Sequence, residues 1–303
     1  MLMSGHEKNN GMTNRERREL ARQRAREMRE RERRRQRRNK ILTLSSITVA
    51  VVGIIALVAW NIWSQREVVG LGPAAMASDG ILFTGSDSGI TVVKTPAVPT
   101  NAPVVTDQAT ARADGAAAVV VYADYICPYC GQFEKTNNDQ LQSLLAQRAI
   151  TLEFHPVALL DASSMGTAYS SRAANAIACV ADQDPDRLLA VNAALFADQP
   201  NEGTAGLDDN ALRSLVTKAG VTNDKVLTCI ANGQFRPWVA AVKKRVSTQP
   251  LPNSSIEKMI STPTVLVNGK QYTGSPTDAS AFANFIAAAR SEGKPTATPT
   301  PAG

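Results

Sequence analysis

Cys127 and Cys130 are separated only by Pro128 and Tyr129. Two thiols at that spacing can pass between dithiol and disulfide, although the same spacing also begins many zinc sites. The flanking residues favour the redox reading. Ala116 to Tyr122 is a run of small and β-branched residues that reads as a buried strand, and a helical pattern follows from Gln132 to about Gln147. The pair therefore sits where a strand gives way to a helix. The first N–H groups of a helix lack intrahelical partners and point at whatever occupies the cap. With Cys127 at that cap they favour its thiolate, which makes Cys127 the reactive sulfur. Pro128 falls at the first helical position, where a missing N–H costs nothing. Cys130 lies about one turn further in, close enough to close a disulfide and shielded from solvent. Asp124, three residues before Cys127, is a candidate proton acceptor for Cys130, with a capping or surface role as the alternative.

The remaining elements must hold this pair in place. The chain has 303 residues, four cysteines and a net charge of +6. Residues 1–40 carry fifteen Lys or Arg against six Glu, a net of +9, so the rest of the chain carries −3. The basic balance thus belongs to the tail. Without an apolar face, the tail builds no core. Arg-rich tracts can neutralise nucleic-acid phosphates, but here a cytoplasmic flank that sets membrane orientation is the expected role, with no nucleic acid bound.

Residues 41–63 contain no charge, and as a helix they span ~34 Å, enough to cross a ~30 Å hydrocarbon layer. Trp60 and Trp63 mark the far interface. A single-pass anchor is expected, with the N-terminus cytoplasmic and everything after Ser64 outside. Cleavage near Ala75-Met76-Ala77 is the competing view, but the apolar run is longer than the ~7–15 residues of a signal peptide. Residues 64–115 read as a linker with short strands, where Gly80–Thr84 and Gly89–Val93 could form a hairpin or an added strand.

Thr151 to Leu160 reads as a second strand, interrupted at Pro156; its His155 is expected to be structural. A first core segment, 116–162, is then followed by a helical block, 163–250. Starts are expected at Asp184-Pro185 and Thr222-Asn223-Asp224, and stops at Gly220 and Gly233. A second core segment, 251–292, holds a hairpin turned at Asn268-Gly269 and a closing helix over 277–291. Residues 293–303 have the composition of a disordered tail.

Strand, Cys-Pro-Tyr-Cys, helix, helical insertion, then Thr262-Pro263-Thr264 opening a hairpin: in this order the elements resemble the DsbA-like thiol–disulfide oxidoreductases of the thioredoxin superfamily, of the membrane-anchored Gram-positive type, over about residues 116–291. The resemblance implies an α/β, thioredoxin-like fold with an inserted helical domain, preceded here by a single transmembrane helix. It implies that Thr262–Pro263 is a cis peptide beside the cysteine pair. Cys127, Cys130, Thr262 and Pro263 would then be the catalytic residues, tuned by Pro128, Tyr129 and Asp124. The Thr262 backbone would pair with an extended substrate segment. Some membrane-anchored members carry a second cysteine pair as a structural disulfide, which places Cys179 with Cys229 in an oxidising compartment. A four-cysteine zinc site is the rival, but the second pair lacks short ligand spacing. Neither metal nor cofactor is expected.

The implied function is disulfide formation in unfolded exported proteins with free thiols. The enzyme would be a monomer on the lipid bilayer, reoxidised by a membrane partner that is DsbB-like or related to vitamin K epoxide reductase. Strongly oxidising members carry His where this chain has Tyr129, which is neutral at pH 7. The reductase or isomerase direction therefore stays open. A scaffold using the Arg-rich tail is a further alternative, which leaves both Cys-Pro-Tyr-Cys and Thr-Pro unexplained.

Overall fold

The computed structural model describes residues 70–102, 104 and 115–292, with isolated positions at 28, 53 and 54. The chain divides into two units, Met1–Glu67 and Val68–Gly303, and the second holds the fold described below. The expected membrane segment 41–63 lies outside the described residues except for Gly53 and Ile54. Among the described residues, no helix is long and apolar enough to cross a membrane.

The centre is strand β3, Ala117–Ala123, buried at every position but Val120. A strand covered on both faces needs no polar alternation, which is why it reads as an unbroken apolar run. It pairs in parallel with β4, Ile150–Pro156, and antiparallel with β5, Thr264–Val267. Strands β1, Ile81–Ser86, and β2, Gly89–Val92, form a hairpin that joins β4 on its other side. With β6, Lys270–Gln271, the sheet order is β2-β1-β4-β3-β5-β6.

Helix α1, Pro128–Ala146, connects β3 to β4 and buries Cys130, Phe133, Asn137, Leu141 and Leu145. Those positions recur every three or four residues, so they form one stripe against the sheet. Helix α7, Ala279–Glu292, follows the β5–β6 hairpin, and its Phe282 meets Phe133 edge-on at 5.2 Å. That hairpin turns at Asn268 and Gly269, both with positive φ, as its two-residue loop requires. Asn268 also reaches across β3: its amide oxygen accepts from Ala118 N at 2.8 Å, and its own N–H donates to Ala118 O at 2.8 Å.

The helical block comprises α2, Tyr169–Gln183; α3, Leu188–Ala197; α4, Asp209–Lys218; α5, Asp224–Asn232; and α6, Arg236–Thr248. Helix α2 is buried almost throughout, and the other four helices of the block pack around it. Its alanines let these neighbours approach. Asp208 caps α4 by accepting from Ala211 N, Asn223 caps α5 by accepting from Lys225 N, and Gly233 ends α5 at φ +60°. These are the local signals that make helix ends legible.

Residues 70–102 are bound to the fold more closely than a spacer would be. Met76, Ile81 and Phe83 are core residues, and Gly72 lies against Trp238. Arg245 on α6 donates to both carboxylate oxygens of Asp79 at 2.6 and 2.5 Å and to Thr100 O at 2.6 Å. His155 is buried, stacked on Tyr122 at 4.2 Å, with Nε2 3.3 Å from Glu153 Oε1. Within β4 it lies opposite Tyr122 of β3.

Candidate active site

The chain leaves β3 at Ala123 and turns through Asp124, Tyr125 and Ile126 into α1. The turn is closed by Cys127 N donating to Asp124 O at 3.1 Å. Cys127 is the N-cap of α1 in extended conformation, and Pro128 takes the first helical position. Cys127 and Cys130 are free thiols, 4% and 1% exposed. Beside them Pro128 and Tyr129 are exposed, Tyr129 by 60%. Thr262–Pro263 is a cis peptide, and it enters β5 so that Thr262 O lies 3.3 Å from Cys127 Sγ. The structure therefore brings together Cys127, Cys130, Thr262, Pro263, Pro128, Tyr129 and Asp124.

The two sulfurs have opposite electrostatics. Cys127 is pulled down from the ordinary thiol range to about 6. The largest cause is the hydrogen bond from the Cys130 thiol; burial opposes it, and Thr262's side chain and the backbone N–H groups of Cys130 and Tyr129 add to it. The helix-end amides thus act together with a stronger neighbour, the second thiol. Cys130 is pushed well above the ordinary range, first by burial and then by its hydrogen bond to Cys127 and the charge there. One sulfur is poised as a thiolate at neutral pH and the other is held protonated.

Asp124 is fully buried, not at the surface. Its carboxylate accepts from Ile126 N at 3.1 Å, Leu160 N at 2.9 Å and Ser170 Oγ at 2.7 Å, while its own N–H points at Cys130 Sγ, 3.4 Å away. It ties the cysteine turn to the β4–α2 connection and to α2. Burial pushes its carboxyl upward, opposed by those three donors. It is a structural hub whose backbone adjoins the second sulfur.

Several groups here leave no mark in the sequence. Tyr125 OH donates to Asn192 Oδ1 at 2.7 Å, and Asn192 Nδ2 donates to Glu134 Oε1 at 3.0 Å. Burial pushes Glu134 up to about 7, with Asn192 opposing. Gln199, just beyond α3, donates from Nε2 to Cys127 O at 2.8 Å and to Tyr125 O at 3.2 Å. A groove of about 590 Å³ runs from Pro128 past Gly131 and Glu134 to Phe196 and Gln199. Neither Asn192 nor Gln199 belongs to a local pattern; only the packing of α3 against α1 brings them here. Cys179 and Cys229 form a disulfide between α2 and α5, with Cα atoms 5.8 Å apart. Among the described residues no group of three or more His, Cys, Asp or Glu is placed to hold a metal ion.

Comparison with known proteins assigns the chain to a family. The Thioredoxin_4 model, described as thioredoxin, matches residues 106–288, more than half of the chain. The chain belongs to that thioredoxin family, and its cysteine pair is arranged for thiol–disulfide exchange. Two Mycobacterium tuberculosis structures are 30% identical to it. The reduced disulfide bond oxidoreductase DsbG covers 72% of this chain and 88% of its own, at a TM-score of 0.48. Oxidised DsbA covers 70% and 92%, also at 0.48. BdbD from Bacillus subtilis is 18% identical, covers 75% of this chain and all of its own, and has a TM-score of 0.50. Among curated sequences, the serine/threonine-protein kinase PknE of M. tuberculosis is 28% identical over 116 residues, 37% of this chain. The match spans 20% of the kinase's length.

Proposed function

We propose that this protein is a membrane-anchored, extracytoplasmic thiol–disulfide oxidoreductase that works as an oxidase on exported proteins. The observation that carries this reading is the contact between Cys127 Sγ, at the cap of α1, and Thr262 O at the cis-proline junction, with Cys130 behind it. In the oxidised enzyme, a client thiolate attacks Cys127 Sγ, the Cys127–Cys130 bond breaks, and Cys130 leaves as a thiolate that takes up a proton. A second client thiolate then attacks the client sulfur of the mixed disulfide and releases the Cys127 thiolate. Two electrons pass from two client thiols to the enzyme pair. The low midpoint of Cys127 makes it a good leaving group in that second step. The Thr262 backbone offers a short extended edge on which a client segment can align.

The clients are unfolded exported proteins with free thiols. Reoxidation falls to a membrane partner, DsbB-like or related to vitamin K epoxide reductase, which accepts the electrons. The charge-free segment 41–63 and the arginines before it support a single-pass anchor with the redox unit outside. The Cys179–Cys229 disulfide is in keeping with an oxidising compartment.

Tyr129, where strongly oxidising members carry His, favours a second reading, as reductase or isomerase. The reduction potential of the Cys127/Cys130 pair, equilibrated against glutathione, separates the two. A value towards about −120 mV supports the oxidase, and one near about −270 mV overturns it in favour of the reductase.

A further inference from the structure

Gln199 makes a contact that the exchange chemistry does not yet use. It follows α3 in the helical insertion, 72 residues from Cys127, yet its amide reaches the backbone of the reactive residue itself. Both of its partners, Cys127 O and Tyr125 O, are carbonyls, so only the NH₂ end of the amide can face them. Cys127 O already accepts from Cys130 N at 3.1 Å and Gly131 N at 3.2 Å, as the first carbonyl of a helix does. At 2.8 Å, the Gln199 donor is the shortest of the three. A second feature points the same way. A Cβ on Gly131 would collide with Gln199 Oε1, so the glycine one residue after Cys130 leaves room for this amide to lie against the turn.

We propose that Gln199 is a positioning residue for the thiol chemistry, an amide clamp from the helical insertion that fixes the Tyr125–Cys127 turn and offsets the carbonyl charge beside the reactive sulfur. The carbonyl and the sulfur belong to one residue, so partial charge on that oxygen acts on the sulfur at close range in a partly dry site. A donor on the oxygen draws off some of that charge and favours the thiolate; losing the donor favours the thiol. The proposal rests on Cys127 as the nucleophile, and it assigns the insertion a part in setting how reactive that sulfur is.

The test uses the full chain with Gln199→Met, which keeps length and packing without a donor, and Gln199→Glu, which sets an acceptor against the carbonyls. The readout is the pH dependence of Cys127 alkylation in the reduced protein. The expected order of midpoints is wild type, then Met, then Glu. The Met variant should move upward by roughly half a unit, about a threefold loss of acidity. Gly131→Ala, which pushes the amide off without altering Gln199, should shift the midpoint in the same direction. It carries the test if the Gln199 variants do not fold. Met and Glu variants that titrate with wild type, or an unchanged midpoint in Gly131→Ala, overturn the clamp. A wild-type midpoint in the ordinary thiol range instead overturns the reading of Cys127 as nucleophile, a separate outcome visible before any variant is made.

Discussion

The molecule carries two pairs of cysteines, and they share little beyond their residue type. Cys179 and Cys229 are brought together by the packing of α2 on α5, 50 residues apart, with no exposure at Cys179 and 3% at Cys229. They are joined in a buried disulfide. Cys127 and Cys130 are three residues apart at a helix start, where a thiol, a hydroxyl and two backbone amides converge on one sulfur. The difference teaches that reactivity here is a property of the surroundings. A sulfur at the cap beside a cis-proline junction is prepared for attack, whereas one in a helix interface serves as a crosslink.

Four experiments can break or sharpen that contrast. The largest effect is expected from Cys127→Ala, which should abolish exchange with a reduced, unfolded substrate while leaving the melting temperature close to wild type. Residual turnover in that variant would mean that another sulfur does the chemistry. Next comes the double variant Cys179→Ala/Cys229→Ala. Opening a loop of 50 residues should cost about 4 kcal/mol by the chain-entropy argument, read from denaturant unfolding. Below its transition the alkylation profile of Cys127 should stay as in wild type, and a shifted profile would show that the pairs are coupled.

Asp124→Ala is expected to cost about 2–3 kcal/mol, because the buried donors at Ile126 N, Leu160 N and Ser170 Oγ lose their acceptor. A variant as stable as wild type would remove Asp124 from the role of hub. The smallest effect is in pH dependence. With a midpoint of about 6, Cys127 alkylation should rise roughly tenfold from pH 5 to pH 7 and then level off, while Cys130 remains unmodified. The folded midpoint lies below the ~8.5 of an unfolded thiol. The stability that the thiolate lends the reduced form is therefore full above ~8.5 and lost as pH falls through about 6. Reduced-form unfolding followed across that window gives the sign directly.

Much of this arrangement could be read before any coordinates. Cys127, Pro128 and Cys130 announce themselves by spacing, and Asn268-Gly269 by the turn it requires. Asn223 and Gly233 bound a helix through rules that act within a few residues. Thr262-Pro263 becomes meaningful only through the resemblance, since nothing in a lone Thr-Pro says that it will lie against a cysteine 135 residues away. What stayed hidden is everything that depends on one helix packing against another. Gln199 is an ordinary residue before a proline until α3 lies beside α1. Asp124 looked equally suited to the surface and proved fully buried, because its partners, Leu160 in the β4–α2 connection and Ser170 on α2, lie 36 and 46 residues away. The tie of residues 70–102 to α6 is likewise long-range: besides Trp238 against Gly72 it uses Arg245, whose two partners lie 145 and 166 residues away.

The borders of the sheet carry a consequence for a protein whose proposed clients are unfolded chains. One margin is β2, four half-covered residues, and the other is β6, only two. A long bare margin would be a template on which loose polypeptides could stack and aggregate. Such stubby rims give a stranger almost no ladder to climb, so lingering association along the sheet is discouraged, and the proposed docking stretch beside the reactive sulfur is left as the place where a visit would end in chemistry and departure.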